Sequence, residues 1–141
     1  MSKPKAPSVF VDTVDEKDLD ALRTLYGSKV SVDQIDKVVH ELTHHKYQMP
    51  CRHDIDEMLN PCRGYSPDAT DRFEMAYYNL VQARSELDSA KDRGAKVKFS
   101  LKYAKSHEAF SLAERAAARA IREGIKKRAE ERKERDAFVY R

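Results

Sequence analysis

Apolar residues recur at three- and four-residue steps through most of this chain, and the longest such series lies between Ser66 and Ala90. Phe73, Ala76, Tyr77, Leu80, Ala83, Leu87 and Ala90 fall on one face of a helix. Ser66 is a good N-cap, Pro67 suits the first helical position, and Asp68 and Asp71 favour the positive end of the helix dipole. A stripe of that length gains little stability alone and needs a partner.

Shorter periodic segments precede it. Thr13 with Glu16 forms a capping-box pattern and predicts a helix to about Tyr26, with Leu19, Leu22, Leu25 and Tyr26 inward and Gly27 as its stop. Ser31 with Gln34 repeats the box and predicts a second helix to about Tyr47, buried through Ile35, Val38, Val39 and Leu42. A third, from about Arg52 to Leu59, carries Ile55, Met58 and Leu59, and a turn over residues 60–64 follows. After Arg93-Gly94 a long helix should run from about Val97 to Arg135, lined by Leu101, Ala104, Phe110, Ala113, Ala117 and Ile121. The small residues Ala109, Ala113, Ala116, Ala117 and Ala120 would let another helix approach closely, with Ala109, Ala113, Ala116 and Ala120 as the packed face. The expected fold is all-α. Residues 1–13 form an extended arm, 14–65 a lobe of short helices, and 66–141 a long helical hairpin with a charged last helix.

Composition sharpens this picture. Of the 141 residues, 36% are charged and 40% apolar, which suits elongated helices with a modest core. No run approaches the roughly 18 apolar residues of a membrane span. The N-terminus lacks the pattern of a signal or transit peptide, so a cytoplasmic protein is expected. The net charge of +3 is unevenly spread: residues 1–90 hold 11 Lys/Arg against 16 Asp/Glu, and residues 91–141 hold 16 against 8. The basic half could face an acidic protein surface or nucleic acid.

Two local signatures resemble a known family. Val30-Ser31-Val32-Asp33-Gln34-Ile35 looks like the end of an EF-hand loop, and Asp54-Ile55-Asp56-Glu57-Met58-Leu59 like the entering helix of a second hand, with Tyr65-Ser66 in the equivalent loop-end place. Residues 15–83 thus resemble a calmodulin-like lobe, which implies a role in gripping a partner helix or in packing on its own C-terminal helix. The calcium chemistry is missing. Such a loop needs about 12 residues with a bidentate Glu at the last, whereas Gln34 stands there, the loop is short, and Lys29 adds positive charge.

His40-Glu41-Leu42-Thr43-His44 matches HExxH, the zincin metallopeptidase pattern, with both histidines on one helical face and Glu41 as the general base. Lys37 and Lys46 stand where that family is usually apolar, and no third-ligand motif follows. Cys51 and Cys62, with His40, His44 and His53, are candidate zinc ligands. The two cysteines could instead form a disulfide, a spacing that resembles half of the twin-cysteine helical hairpins of the mitochondrial intermembrane space. Reduced thiols are the default in the cytosol.

The leading expectation is a non-catalytic structural or adaptor subunit of a large assembly, cytoskeletal or axonemal by preference, without cofactor or metal. The residues expected to meet partners are Phe10, Phe138 and Tyr140 at the apolar ends, Ala113, Ala116 and Ala120 on the small-residue face, and Arg115, Arg119 and Arg122 on the basic helix. The alternatives are an accessory subunit of a mitochondrial membrane complex with a Cys51–Cys62 disulfide, a small HExxH metallopeptidase, and a nucleic-acid-binding or phage virion component.

Overall fold

The computed structural model describes residues 14–139, which are all-α: five helices and, among the described residues, no strand. Helix α1 is Glu16–Tyr26. Helix α2, Ile35–Glu41, is preceded by a 3₁₀ turn Val32–Gln34 and followed by a π turn Leu42–Lys46. Helix α3 is Arg52–Tyr65, α4 is Pro67–Ser89 and α5 is Arg93–Val139. Among the described residues no helix is long and apolar enough to cross a membrane.

Local chemistry explains most boundaries. Asp15, not Thr13, caps α1, its side chain accepting the Lys17 amide at 2.9 Å; Thr13 lies outside the described residues. Gly27 ends α1 at a φ of 85°, a left-handed conformation that costs glycine nothing. The Gln34 side chain accepts the Ser31 amide at 3.1 Å, the return half of the expected box. The second helix ends at Glu41 and widens into the π turn before Tyr47.

Two expected turns are helical instead. α3 runs on through Pro61 to Tyr65, because its buried stripe of Ile55, Leu59 and Cys62 continues past the proline. Pro61 is on the exposed side. There the Glu57 carbonyl it leaves unbonded can be hydrated, which softens a cost of about 3 kcal/mol. α5 starts at Arg93 rather than Val97, because Asp92 caps it, accepting the Ala95 amide at 2.8 Å. Ser66 alone joins α3 to α4. Its amide donates to the Cys62 carbonyl at 2.7 Å, and its hydroxyl accepts the Ala69 amide at 3.2 Å.

Packing divides the described residues into two compact units. One takes the residues up to Met49 with Tyr78–Glu108; the other takes Pro50–Tyr77 with the residues from Ala109 onward. Each unit therefore draws on the short-helix segment and on the two long helices.

In the first unit Leu19, Leu22, Val30, Ile35, Leu80 and Val97 are among the buried apolar residues. Tyr103 of α5 is 1% exposed and donates its hydroxyl to the Tyr47 carbonyl at 2.5 Å. His107 lies 2.9 Å from the Gln48 carbonyl, so the chain after the π turn is fastened to α5 twice. Lys96–Asp36 at 3.1 Å and Lys102–Glu86 at 2.9 Å add surface pairs.

In the second unit the core is Ile55, Leu59, Cys62, Phe73, Tyr77, Phe110 and Ala117. The Phe73 and Phe110 rings meet at 5.3 Å, a contact worth about 1 kcal/mol beyond the area it buries. The end of α3 is clamped to α5 by Arg128, whose guanidinium lies 4.2 Å from the Tyr65 ring centre and donates to the Gly64 carbonyl at 2.9 Å.

Gly124 lets that clamp close. A Cβ there would stand 2.1 Å from Cδ1 of Tyr65 and 2.9 Å from its Cβ. Alanine ordinarily favours a helix over glycine by about 1 kcal/mol. Here the overlap should outweigh that gain by displacing Tyr65, at about 1–3 kcal/mol. Gly124→Ala is expected to lower the thermal midpoint of unfolding; an unchanged or higher midpoint would show that the Tyr65 contact gives way freely.

Candidate protein-interaction surface

α5 has 47 residues and α4 has 23, so their lengths are about 70 Å and 35 Å. α5 therefore outruns the helix it pairs with. The Tyr65–Arg128 clamp engages one further stretch. From Ile125 to Phe138 every side chain is exposed. This stretch keeps a helix because it is rich in Ala, Glu, Lys and Arg, the strongest helix formers, and contains neither Pro nor Gly. Ile125 is 53% and Phe138 78% exposed, large apolar groups with little cover from their own chain.

The expected partner residues fall as follows. Arg115, Arg119 and Arg122 are all exposed on α5. Phe138 is exposed near the end of the same helix, while Phe10 and Tyr140 lie outside the described residues. The small-residue face is turned by one position. Ala117 is fully buried, Ala113 and Ala120 are half-buried, and Ala109 and Ala116 point outward. Close approach within the chain thus occurs at Ala113, Ala117 and Ala120, not at Ala109 and Ala116. The phase was misread because a run of three alanines, Ala116–Ala118, offers no contrast to fix it. The Tyr65–Gly124–Arg128 clamp and the exposed Ile125 were not foreseen. Gly124 inside an otherwise helical run was the available signal.

The HExxH residues lie at the end of α2 and in the π turn that follows it. His40 and His44 are exposed and stack on each other, ring centres 4.1 Å apart. The Glu41 carboxylate accepts the Tyr26 hydroxyl at 2.5 Å, which occupies the group a zincin needs as its base. His53 pairs with Glu57 at 2.9 Å on α3. Among the described residues no group of three or more His, Cys, Asp or Glu could hold a metal ion. The Cys51–Cys62 disulfide is also ruled out. Cys51 caps α3 and Cys62 lies inside it, and both are free. Eleven residues of helix separate them by about 16 Å, against the 7 Å limit for Cα atoms of a disulfide.

No protein-family model matches this sequence, and neither the curated proteins nor the solved structures yield a match to it. The functional reading therefore rests on the molecule alone.

Two substitutions separate the buried and exposed faces of α5. Ala117→Leu should overpack the core and cost about 1–3 kcal/mol, read as a fall in the denaturation midpoint. Ala116→Leu should change stability by less than about 0.5 kcal/mol. Equal effects would place the packed face elsewhere.

The Tyr26–Glu41 bond has a pH signature. The hydrogen bond to Glu41 holds the Tyr26 phenol above its ordinary value of 10.0. Its contribution to stability is present below that value and is lost as pH rises through the folded-state pKa. Glu41→Gln should leave the fold intact and bring Tyr26 back toward 10.0, measured by NMR titration of the Tyr Cζ resonance. An unmoved Tyr26 would mean that the bond does not form in solution.

Proposed function

We propose that this protein is a non-catalytic structural or adaptor subunit of a larger protein assembly, and that it holds a neighbouring protein through the distal part of α5. The observation that carries this reading is the continuation of α5 as an exposed helix over residues 125–138. Beyond the Arg128 clamp, this solvated helix end buries no side chain in the core of its own chain. It does present ordered side chains, two of them large and apolar, at little further ordering cost. The apolar anchor Phe138 and the exposed Arg115, Arg119 and Arg122 lie on that same helix.

The test uses the full chain in its native extract. The 16.3 kDa protein should sediment with a larger complex. A chain truncated after Arg128, which keeps the Tyr65–Arg128 clamp, should retain its helical core, seen as an unchanged cooperative transition by circular dichroism, yet sediment as a monomer. A full-length chain that sediments as a monomer, or a truncated chain that still joins the complex, would overturn the proposal.

A further inference from the structure

Five basic residues of α5 form a single row: Arg115, Arg119, Arg122, Lys126 and Lys133. Their steps of 4, 3, 4 and 7 residues return to nearly the same side of a helix with 3.6 residues per turn, within about 60° of arc. The row is about 27 Å long at 1.5 Å per residue. All five are exposed, and among the described residues none of them is in an ion pair. The interleaved acids do not interrupt it. Glu123, Glu130 and Glu134 fall together on the adjoining face, some 60–100° from Arg115.

We infer that this row docks against an acidic α-helix of a partner protein. The inference rests on the adaptor role proposed above and narrows it to a partner class. A row of carboxylates at three- and four-residue steps on a straight helix repeats at the same rise, so the two rows stay in register along their length. Each arginine can take a carboxylate through two parallel N–H···O bonds.

Nucleic acid fits less well. Single-stranded chains are bound by aromatic platforms beside basic grooves, and no aromatic residue occurs between Phe110 and Phe138. A duplex places phosphates on both sides of a helix lying in its major groove. Here one side of the basic row is carboxylate, which repels them. The same carboxylates suit a partner helix that carries lysines beside its acidic row.

The experiment compares the full chain with its Arg119→Gln/Arg122→Gln/Lys126→Gln variant. The probes are a fluorescent helical peptide with Glu at steps of 4, 3, 4 and 7, a peptide of identical composition with its Glu residues dispersed around the helix, a duplex DNA and a single-stranded RNA. Binding is read by anisotropy across a salt series. The matched peptide should bind about tenfold more tightly than the dispersed one. The triple substitution should remove that advantage, and added salt should weaken the matched complex. Equal binding of the two peptides, tighter binding of either nucleic acid, or an advantage that survives in the variant would overturn the inference.

Sedimentation in native extract keeps this inference apart from the adaptor role. Loss of assembly on truncation with normal assembly of the triple variant would leave the adaptor role standing and remove the basic row from it. Failure of the unaltered chain to assemble would remove both.

Discussion

Burial of the apolar face of α4 is the interaction on which the remainder of the fold depends. Phe73 and Leu80 are fully buried, and Tyr77, Ala83 and Leu87 nearly so. Each large side chain contributes about 1.5–3 kcal/mol when taken out of water, whereas a 23-residue helix alone is barely stable. α1 and α2, with 11 and 7 residues, are shorter still. They persist because Leu22 and Ile35 enter a core that the long helices have already begun. The polar fastenings follow burial rather than direct it. The Tyr103 hydroxyl can bond the Tyr47 carbonyl only because packing has excluded water from both, and the same burial raises the Tyr103 phenol above its ordinary value.

The surface ion pairs rank well below this. Lys96–Asp36 and Lys102–Glu86 join partly exposed side chains, and such pairs are worth about 0–1 kcal/mol. The high charge of the chain therefore has little part in holding it together. Its more telling feature is placement: basic residues gather on one line of α5, and among the described residues none of the five is in an ion pair.

The parts of this fold that were legible in the sequence are those where one strong local signal met a long period. The α4 stripe, the glycine stop at Gly27 and the cap at Ser66 all combine the two. The misread parts are places where tertiary packing outvotes a local rule. Pro61 and Gly94 both argue for a turn, but a buried stripe carries α3 past the first and the Asp92 cap draws α5 past the second. HExxH is another purely local pattern. The spacing reports only that two histidines share a helical face, and it carries nothing about Tyr26, fifteen residues away in sequence, which takes Glu41 for itself. Of the candidate interface, the arginines were legible as a basic helix. Their alignment into one row became evident once the helix was known to continue unbroken through Gly124 to Lys133 and beyond.

That continuity also bears on how the distal part of α5 can work. Sequence pairs such as Lys126–Glu130 and Lys127–Glu131 stand at i,i+4 and add only about 0.2–0.5 kcal/mol each to a helix. Propagation from an existing helix is far easier than nucleation, and α5 is nucleated where Val97, Tyr103 and Phe110 are buried. The exposed end is thus held helical by the core behind it, with stability falling toward residue 138 as a fraying end requires. A disordered segment of the same composition would have to order each residue on binding, at about 1–2 kcal/mol of backbone entropy apiece. A helix that is already formed avoids most of that cost, so even the weak, screened attractions of an exposed basic row can register as specific affinity.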